Sequence, residues 1–412
     1  MKLSEDSKAI LLLCSSIATR QPKKNSSQEG PKPLTLSEWN TLARMLPKSS
    51  LQTPQGFFET DISQWKKELA VSLEIGERLQ KLLTLGGSLA IELDNLERLG
   101  IWVTTRAEAT YPTQLKTLLR DSTPPVLFGA GDISQLNKVG GVAVVGSRDV
   151  DERGAEFARK FSQRCAAESL AIVSGGARGV DQIAESAALS AGGRVIEVLA
   201  DDLAGRIRKR EVREALRANQ LVLVTPFNPE SHFTVWSAME RNKLIYAFAQ
   251  YAVVVAATEG KGGTWAGATE NLKAKWTPLF VYTPTTDVPV GNQKLLNLGA
   301  LALSDEALAQ AAGLSNWFAQ QVSSNKPAAL WDSPAITTPE NTSPIDNSAA
   351  SIAVTQELPD SELVTAKPKR KRASRQLSEV SPPKKTIRRV KKAGKSAADP
   401  ETVTQLALFE NS

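Results

Sequence analysis

Between residues 141 and 282 the sequence alternates short, β-branched apolar runs with amphipathic stretches, and this alternation restricts the fold more than any other feature of the chain. Residues 142–145 read VAVV, residues 170–173 read LAIV and residues 252–257 read AVVVAA. Such runs, bounded by glycine, suit strands covered on both faces, because a solvated face would interrupt them with polar residues. Each is followed by a helix-period pattern. The resulting βαβα order predicts an α/β fold, a Rossmann-like parallel sheet with helices on both faces and its functional loops at the carboxyl ends of the strands. Strands are expected over 142–145, 170–173, 194–199, 221–225, 252–258 and 278–282, and helices near 152–168, 181–191, 207–218, 236–249 and 265–275. Phe157, Phe161 and Cys165 share one face of the first of these helices, which makes Cys165 a small core residue rather than a reactive thiol.

A chain of 412 residues has room for more than this sheet. Residues 1–100 read as a small helical domain, with apolar residues at three- and four-residue spacing over 34–46, 62–85 and 88–99. A first helix around the apolar run at 9–13 has Ser4 or Ser7 as its cap. Glu5 and Asp6 precede that run where a signal peptide would be positive, and no run reaches the roughly 18 residues of a membrane span, so no membrane association and a cytoplasmic location are expected. Residues 101–140, with Tyr111-Pro112 and Pro124-Pro125, read as an extended connector, since proline pushes its predecessor out of helical geometry. Residues 141–322 form the Rossmann-like domain, closed by a helical pattern from Asp305 to Phe318. Residues 323–412 shift to Pro, Ser, Thr, Asn, Lys and Arg and are expected to be disordered.

Charge is concentrated in that tail. Residues 367–395 hold thirteen Lys or Arg and one acid, Glu379, a net of +12 against +6 for the whole chain, so the remainder is near −6 and any basic groove on it must be local. The two cysteines, Cys14 and Cys165, form no CxxC pair, and the single histidine, His232, excludes a multi-histidine metal site. No GxxxxGK[ST] loop is present, and no cofactor is called for.

The chemistry resides in four segments. Gly146-Ser147-Arg148 lies where a strand turns into a helix, so its N–H groups and the helix dipole favour an anion, and Arg148 adds a planar permanent charge. Ser174-Gly175-Gly176-Ala177-Arg178-Gly179 repeats the arrangement at the next strand, with Asp181 capping the helix that follows. Arg241-Asn242-Lys243 and the loop from Glu259 to Thr264, which carries Lys261 and Gly262, supply further cations. Their convergence depends on the order of strands in the sheet.

These motifs, in this order, together with Tyr111-Pro112, Pro124-Pro125-Val126-Leu127-Phe128 and Gly291-Asn292-Gln293-Lys294-Leu295-Leu296, resemble those of the DNA-processing protein DprA (Smf) family over roughly residues 100–315. The resemblance implies a non-catalytic protein that binds single-stranded DNA in a basic pocket, acts as a homodimer and hands the strand to a RecA-type recombinase. Carried over residue by residue, the nucleic-acid-binding positions are Gly146, Ser147, Arg148, Ser174, Gly175, Arg178, Gly179, Arg241, Asn242, Lys243, Lys261 and Gly262. Glu185 stands where the family usually has a histidine, Gly262-Gly263-Thr264 replaces a Ser-Gly pair, and a basic tail stands in place of a winged-helix module.

Two other readings belong beside this one. Phosphoribohydrolases of a related fold use a glutamate three residues after a Gly-Thr pair, whereas here Glu270 follows Gly263-Thr264 six residues on; a nucleotide-sensing module would use the same cations as DNA binding. In the tail, the cluster at 367–395 suits phosphate neutralisation without sequence preference. Gln405-Leu406-Ala407-Leu408-Phe409 looks like the pentapeptide that docks on the DNA polymerase sliding clamp, with Gln405, Leu406, Leu408 and Phe409 as its anchors.

Overall fold

A computed structural model describes residues 2–19, 30–137 and 140–325. The tail and its clamp-like residues Gln405, Leu406, Leu408 and Phe409 lie outside the described residues. The sheet runs in the order β1-β2-β6-β5-β4-β3-β7-β8-β9, built from β1 (Trp102–Thr105), β2 (Val126–Ala130), β3 (Gly141–Val145), β4 (Ala171–Ser174), β5 (Val195–Val198), β6 (Leu221–Thr225), β7 (Tyr251–Val254), β8 (Leu279–Tyr282) and β9 (Leu301–Leu303). From β3 onward every pairing is parallel, and β1 and β2 add to the edge beside β6 as antiparallel strands. The parallel α/β sheet expected from the alternation is therefore present. The stretch expected to be a connector is also structured. It supplies β1 and β2, because Val103, Val126 and Phe128 alternate into a core that the neighbouring helices complete.

The strand order places the site. The chain steps outward from β3 through β4, β5 and β6, then returns to the other side of β3 at β7, with Val142 beside Tyr251 and Val145 beside Val254. The helices that follow β3 and β7 pack on opposite faces of the sheet, opening a crevice at the carboxyl edge, the place where parallel sheets of this kind bind ligands. The β-branched runs are buried on both faces. Val142 and Val144 join one apolar cluster and Ala143 and Val145 the other, on opposite faces of the sheet.

The helices are α1 (Glu5–Cys14), α2 (Leu36–Met45), α3 (Ile62–Glu68), α4 (Leu73–Leu83), α5 (Gly86–Arg98), α6 (Thr113–Leu119), α7 (Glu152–Ala167), α8 (Val180–Ser190), α9 (Leu203–Ile207), α10 (Arg210–Arg217), α11 (Val235–Ala247), α12 (Gly262–Ala274), α13 (Val290–Asn297), α14 (Asp305–Gln310) and α15 (Leu314–Ser324). Ser4 caps α1 by accepting from the Ser7 N–H, while the buried Ser7 hydroxyl donates to Glu108 at 2.6 Å. Two expected helices are each two. The pattern over 62–85 breaks at Ala70, whose φ of 50° ends α3, and Ser72 restarts the helix by capping α4. The pattern beginning at Asp305 breaks between α14 and α15, where Ala311 and Gly313 are extended. Periodicity alone spans such breaks, because the turn keeps the apolar residues on one side. The helix expected near 207–218 is α10, and the short α9 precedes it. Cys165 is fully buried in the core against α7's neighbours, as its face predicts.

Candidate functional site

A cavity of about 490 Å³ sits at the crevice, between the loop after β3, the loop from β7 into α12, and the exposed face of α11. The two loops are stitched together. The Ser147 N–H donates to the Ala256 carbonyl at 2.9 Å, and Thr264 Oγ1 donates to the Gly146 carbonyl at 2.8 Å. Asn242 of α11 closes the third side by donating to the Gly263 carbonyl at 3.2 Å.

Two cations face this cavity without an acid partner among the described residues. Arg148 is exposed and lies 5.9 Å from the Phe233 ring centre, and Lys261 is exposed immediately before α12. No side chain caps the first turn of α12, so its leading N–H groups and the positive end of a 13-residue helix open on the cavity. An anion is the ligand such a wall accommodates. The acid on the lining is Asp181, buried beneath; burial pushes its carboxyl up to about 6, against the pull of Arg241.

The second glycine-rich loop has a different task. The buried Ser174 hydroxyl donates to the Val144 carbonyl at 2.7 Å. The N–H groups of Gly175 and Gly176, expected to face a phosphate, instead donate to Asp181 at 3.2 Å and Glu185 at 2.9 Å. Gly175 is required for another reason. A Cβ there would stand 1.7 Å from Arg241 Nη1, because the guanidinium crosses directly over it. Gly179 begins α8 with φ 81°, where a side chain would strike the Ser147 carbonyl.

Arg241-Asn242-Lys243, grouped with the loops in the sequence, is the middle of α11, and its three side chains diverge. Arg241 is only 6% exposed and donates to the Val198 carbonyl at 2.7 Å, so its charge is spent inside the fold; burial lowers its pKa while Asp181 and Glu185 oppose the drop. Lys243 pairs with Glu240 at 2.8 Å and stands off the cavity lining. The structure thus brings Gly146, Ser147, Arg148, Arg241, Asn242, Lys261 and Gly262 onto one cavity, with Arg241 as part of its floor. Ser174, Gly175, Arg178, Gly179 and Lys243 are not on its wall. Arg178 is nonetheless exposed on the next loop, with no polar partner among the described residues.

Beneath the loops lies a charged cluster that the motifs do not reveal. Arg206 of α9 donates to Glu197 at 3.0 Å, and Glu197 Oε1 fills the space a Gly176 Cβ would take. Burial raises the Glu185 carboxyl well above its ordinary range, and the Glu197 and Asp181 carboxylates raise it further. The other feature missed is aromatic. Phe233 and Trp236, at the entry to α11, are 47% and 65% exposed, and Trp236 packs 5.6 Å from Phe227. Three aromatics, Phe227, Phe233 and Trp236, within ten residues leading into a helix were the available signal. Glu270, the residue a hydrolase would need, lies along α12 and does not line the cavity. No group of three or more metal-ligating side chains occurs among the described residues, and no helix there is long and apolar enough to cross a membrane.

Comparison with known proteins places this architecture. The family model of DNA recombination-mediator protein A matches residues 102–311. DNA processing protein DprA of Bacillus subtilis is 27% identical over 201 residues, which cover 47% of this chain and 65% of that protein. Protein Smf of Synechocystis is 32% identical over 152 residues, covering 34% of this chain and 36% of the relative. The chain therefore spans less than two thirds of the length of these curated relatives. The X-ray structure of DprA from Streptococcus pneumoniae aligns at 22% identity with a TM-score of 0.47, covering 67% of this chain and 98% of that one.

Proposed function

The chain belongs to the DNA recombination-mediator protein A family, and from that premise we propose that it binds single-stranded DNA at the crevice between β3 and β7. The observation that carries the proposal is the pairing of two unpartnered cations, Arg148 and Lys261, with the uncapped N-terminus of α12 on one cavity. Phosphates occupy this wall, while Phe233 on the cavity lining, with Trp236 exposed nearby at the start of α11, offers a flat apolar face to unstacked bases. A duplex keeps its bases stacked and cannot use that face. The reaction is association alone, with little base readout, and its affinity falls as salt rises.

Around this site the remaining expectations fall into place as proposals. The protein works in the cytoplasm as a homodimer, which lengthens the groove, and passes its strand to a RecA-type recombinase. Its basic tail adds non-specific attraction, and Gln405, Leu406, Leu408 and Phe409 engage the sliding clamp. Capture on immobilised clamp, lost on joint Leu408→Ala and Phe409→Ala substitution, tests the last; faster recombinase filament growth on coated strands tests the hand-off.

The pocket is tested by fluorescence anisotropy of a labelled oligothymidine with the full chain. Arg148→Ala and Lys261→Ala are each expected to weaken binding by about tenfold, the size of a charge-assisted contact of roughly 1.5 kcal/mol, and to reduce the salt slope by about 0.7 each. Unchanged affinity in both, with a mononucleotide competing at equal strength or being cleaved, would transfer the cavity to nucleotide sensing or hydrolysis.

A further inference from the structure

Outside the cavity, the segment from α9 through α10 carries the densest positive charge in the described body. Residues 206–217 hold six Lys or Arg against Glu211 and Glu214, a net of +4, while the chain outside 367–395 sums to −6. Arg206 is bound to Glu197 and Arg210 to Glu214, both at 2.8 Å. Arg208, Lys209, Arg213 and Arg217 are exposed and have no acid partner among the described residues. Arg210, Arg213 and Arg217 also fall on one stripe of α10, since positions three and four apart share a helix face. A packing role does not explain these side chains; α10 packs on the core through the buried Val212 and the partly buried Ala215 and Leu216.

Position makes the patch continuous with the site. β3, β4 and β5 are neighbours in the sheet, so the loops leaving β3 and β5 stand about 10 Å apart along its carboxyl edge. Each loop presents a free cation, Arg148 after β3, Arg178 after β4, and Arg208 with Lys209 beyond β5. The Glu197 carboxylate joins them underneath, touching Gly176 of the β4 loop on one side and Arg206 on the other. Burial pushes the Glu197 carboxyl up, and the surrounding cations Arg206, Arg241 and Lys209 draw it partly back.

We infer that a single strand held at the crevice continues across the β4 and β5 loops, its phosphates contacting Arg178, Arg208, Lys209 and Arg213, so that α9 and α10 form a second, sequence-independent section of the binding track. This rests on the single-strand reading of the crevice. The kind of contact is phosphate neutralisation by exposed cations, since no exposed aromatic accompanies them on either helix.

The test compares oligothymidines of about 6 and about 20 nucleotides, the shorter filling the crevice and the longer reaching the patch. Full-length protein and a triple variant, Arg208→Glu, Lys209→Glu and Arg213→Glu, are titrated with both. The affinity gained on lengthening is expected to shrink at least tenfold in the variant, and the salt slope for the longer strand to fall by about 2, three contacts at roughly 0.7 each. Acetylation footprinting of the unmodified protein separates this patch from the tail: Lys209 is protected by the longer strand and not by the shorter. If the variant keeps the whole gain, or Lys209 acetylates equally with and without the longer strand, the track is wrong while the crevice reading stands. If neither strand binds the unmodified protein, the crevice reading fails and the track with it. Protection of Lys209 by polyglutamate but not by DNA assigns the patch to an acidic protein and overturns the inference.

Discussion

Arg241 shows how one side chain can hold several parts of the site in place. From α11 it crosses Gly175 of the β4 loop, bonds the carbonyl of Val198 at the end of β5, and balances Asp181 of α8. Gly175→Ala forces that guanidinium away and leaves buried charges unmatched, so we expect a loss of about 3 kcal/mol or more. Urea denaturation measures it; a loss under about 1 kcal/mol contradicts the packing described. Glu185 makes a prediction in pH. A carboxyl whose pKa is higher in the fold than in the unfolded chain keeps its proton longer when folded, so its contribution favours the fold at low pH and declines as pH rises through the interval between the two values. Glu185→Gln keeps an acceptor for the Gly176 N–H and removes that decline. Its melting temperature should exceed the parent's at pH 8, with the gap closing toward pH 5; a gap that widens as pH falls reverses the sign and sinks the assignment. Residue types were legible here, but their roles were not. Arg241 and Ser174 read as phosphate contacts because a motif records identity, while burial, which decides between floor and surface, depends on strand order.

At the scale of elements, the sheet was legible because runs covered on both faces leave no alternative to a parallel core. The breaks at Ala70 and between α14 and α15 were not, since a turn that preserves the apolar side leaves the periodicity intact. The antiparallel strands β1 and β2 were hidden because the Pro124-Pro125 pair directly before β2 read as a connector. The entry to α11 is the element with the sharpest functional consequence. Phe233 and Trp236 are exposed, so replacing them removes little packing. Phe233→Ala and Trp236→Ala should each weaken oligothymidine binding by about 1–3 kcal/mol, the worth of a base stacked on an aromatic ring, with the unfolding midpoint nearly unmoved. Equal binding by both variants would leave these aromatics without a role.

Taken whole, the molecule separates charge by task. The net charge near −6 of the chain outside 367–395 conceals two local concentrations, the crevice cations and the α9–α10 stripe, which is why it gave no hint of the latter. On the proposed reading, two sources of DNA affinity would compete in any bulk measurement, the crevice and the cluster at 367–395. The measurement that distinguishes them most directly is photocrosslinking of the full chain to a strand carrying 5-iododeoxyuridine, followed by peptide mapping. The account predicts crosslinks within the peptide that contains Phe233 and Trp236, suppressed by Arg148→Ala. Crosslinks confined to the segment 367–395, with none at the crevice, would contradict it and leave the folded body without a strand.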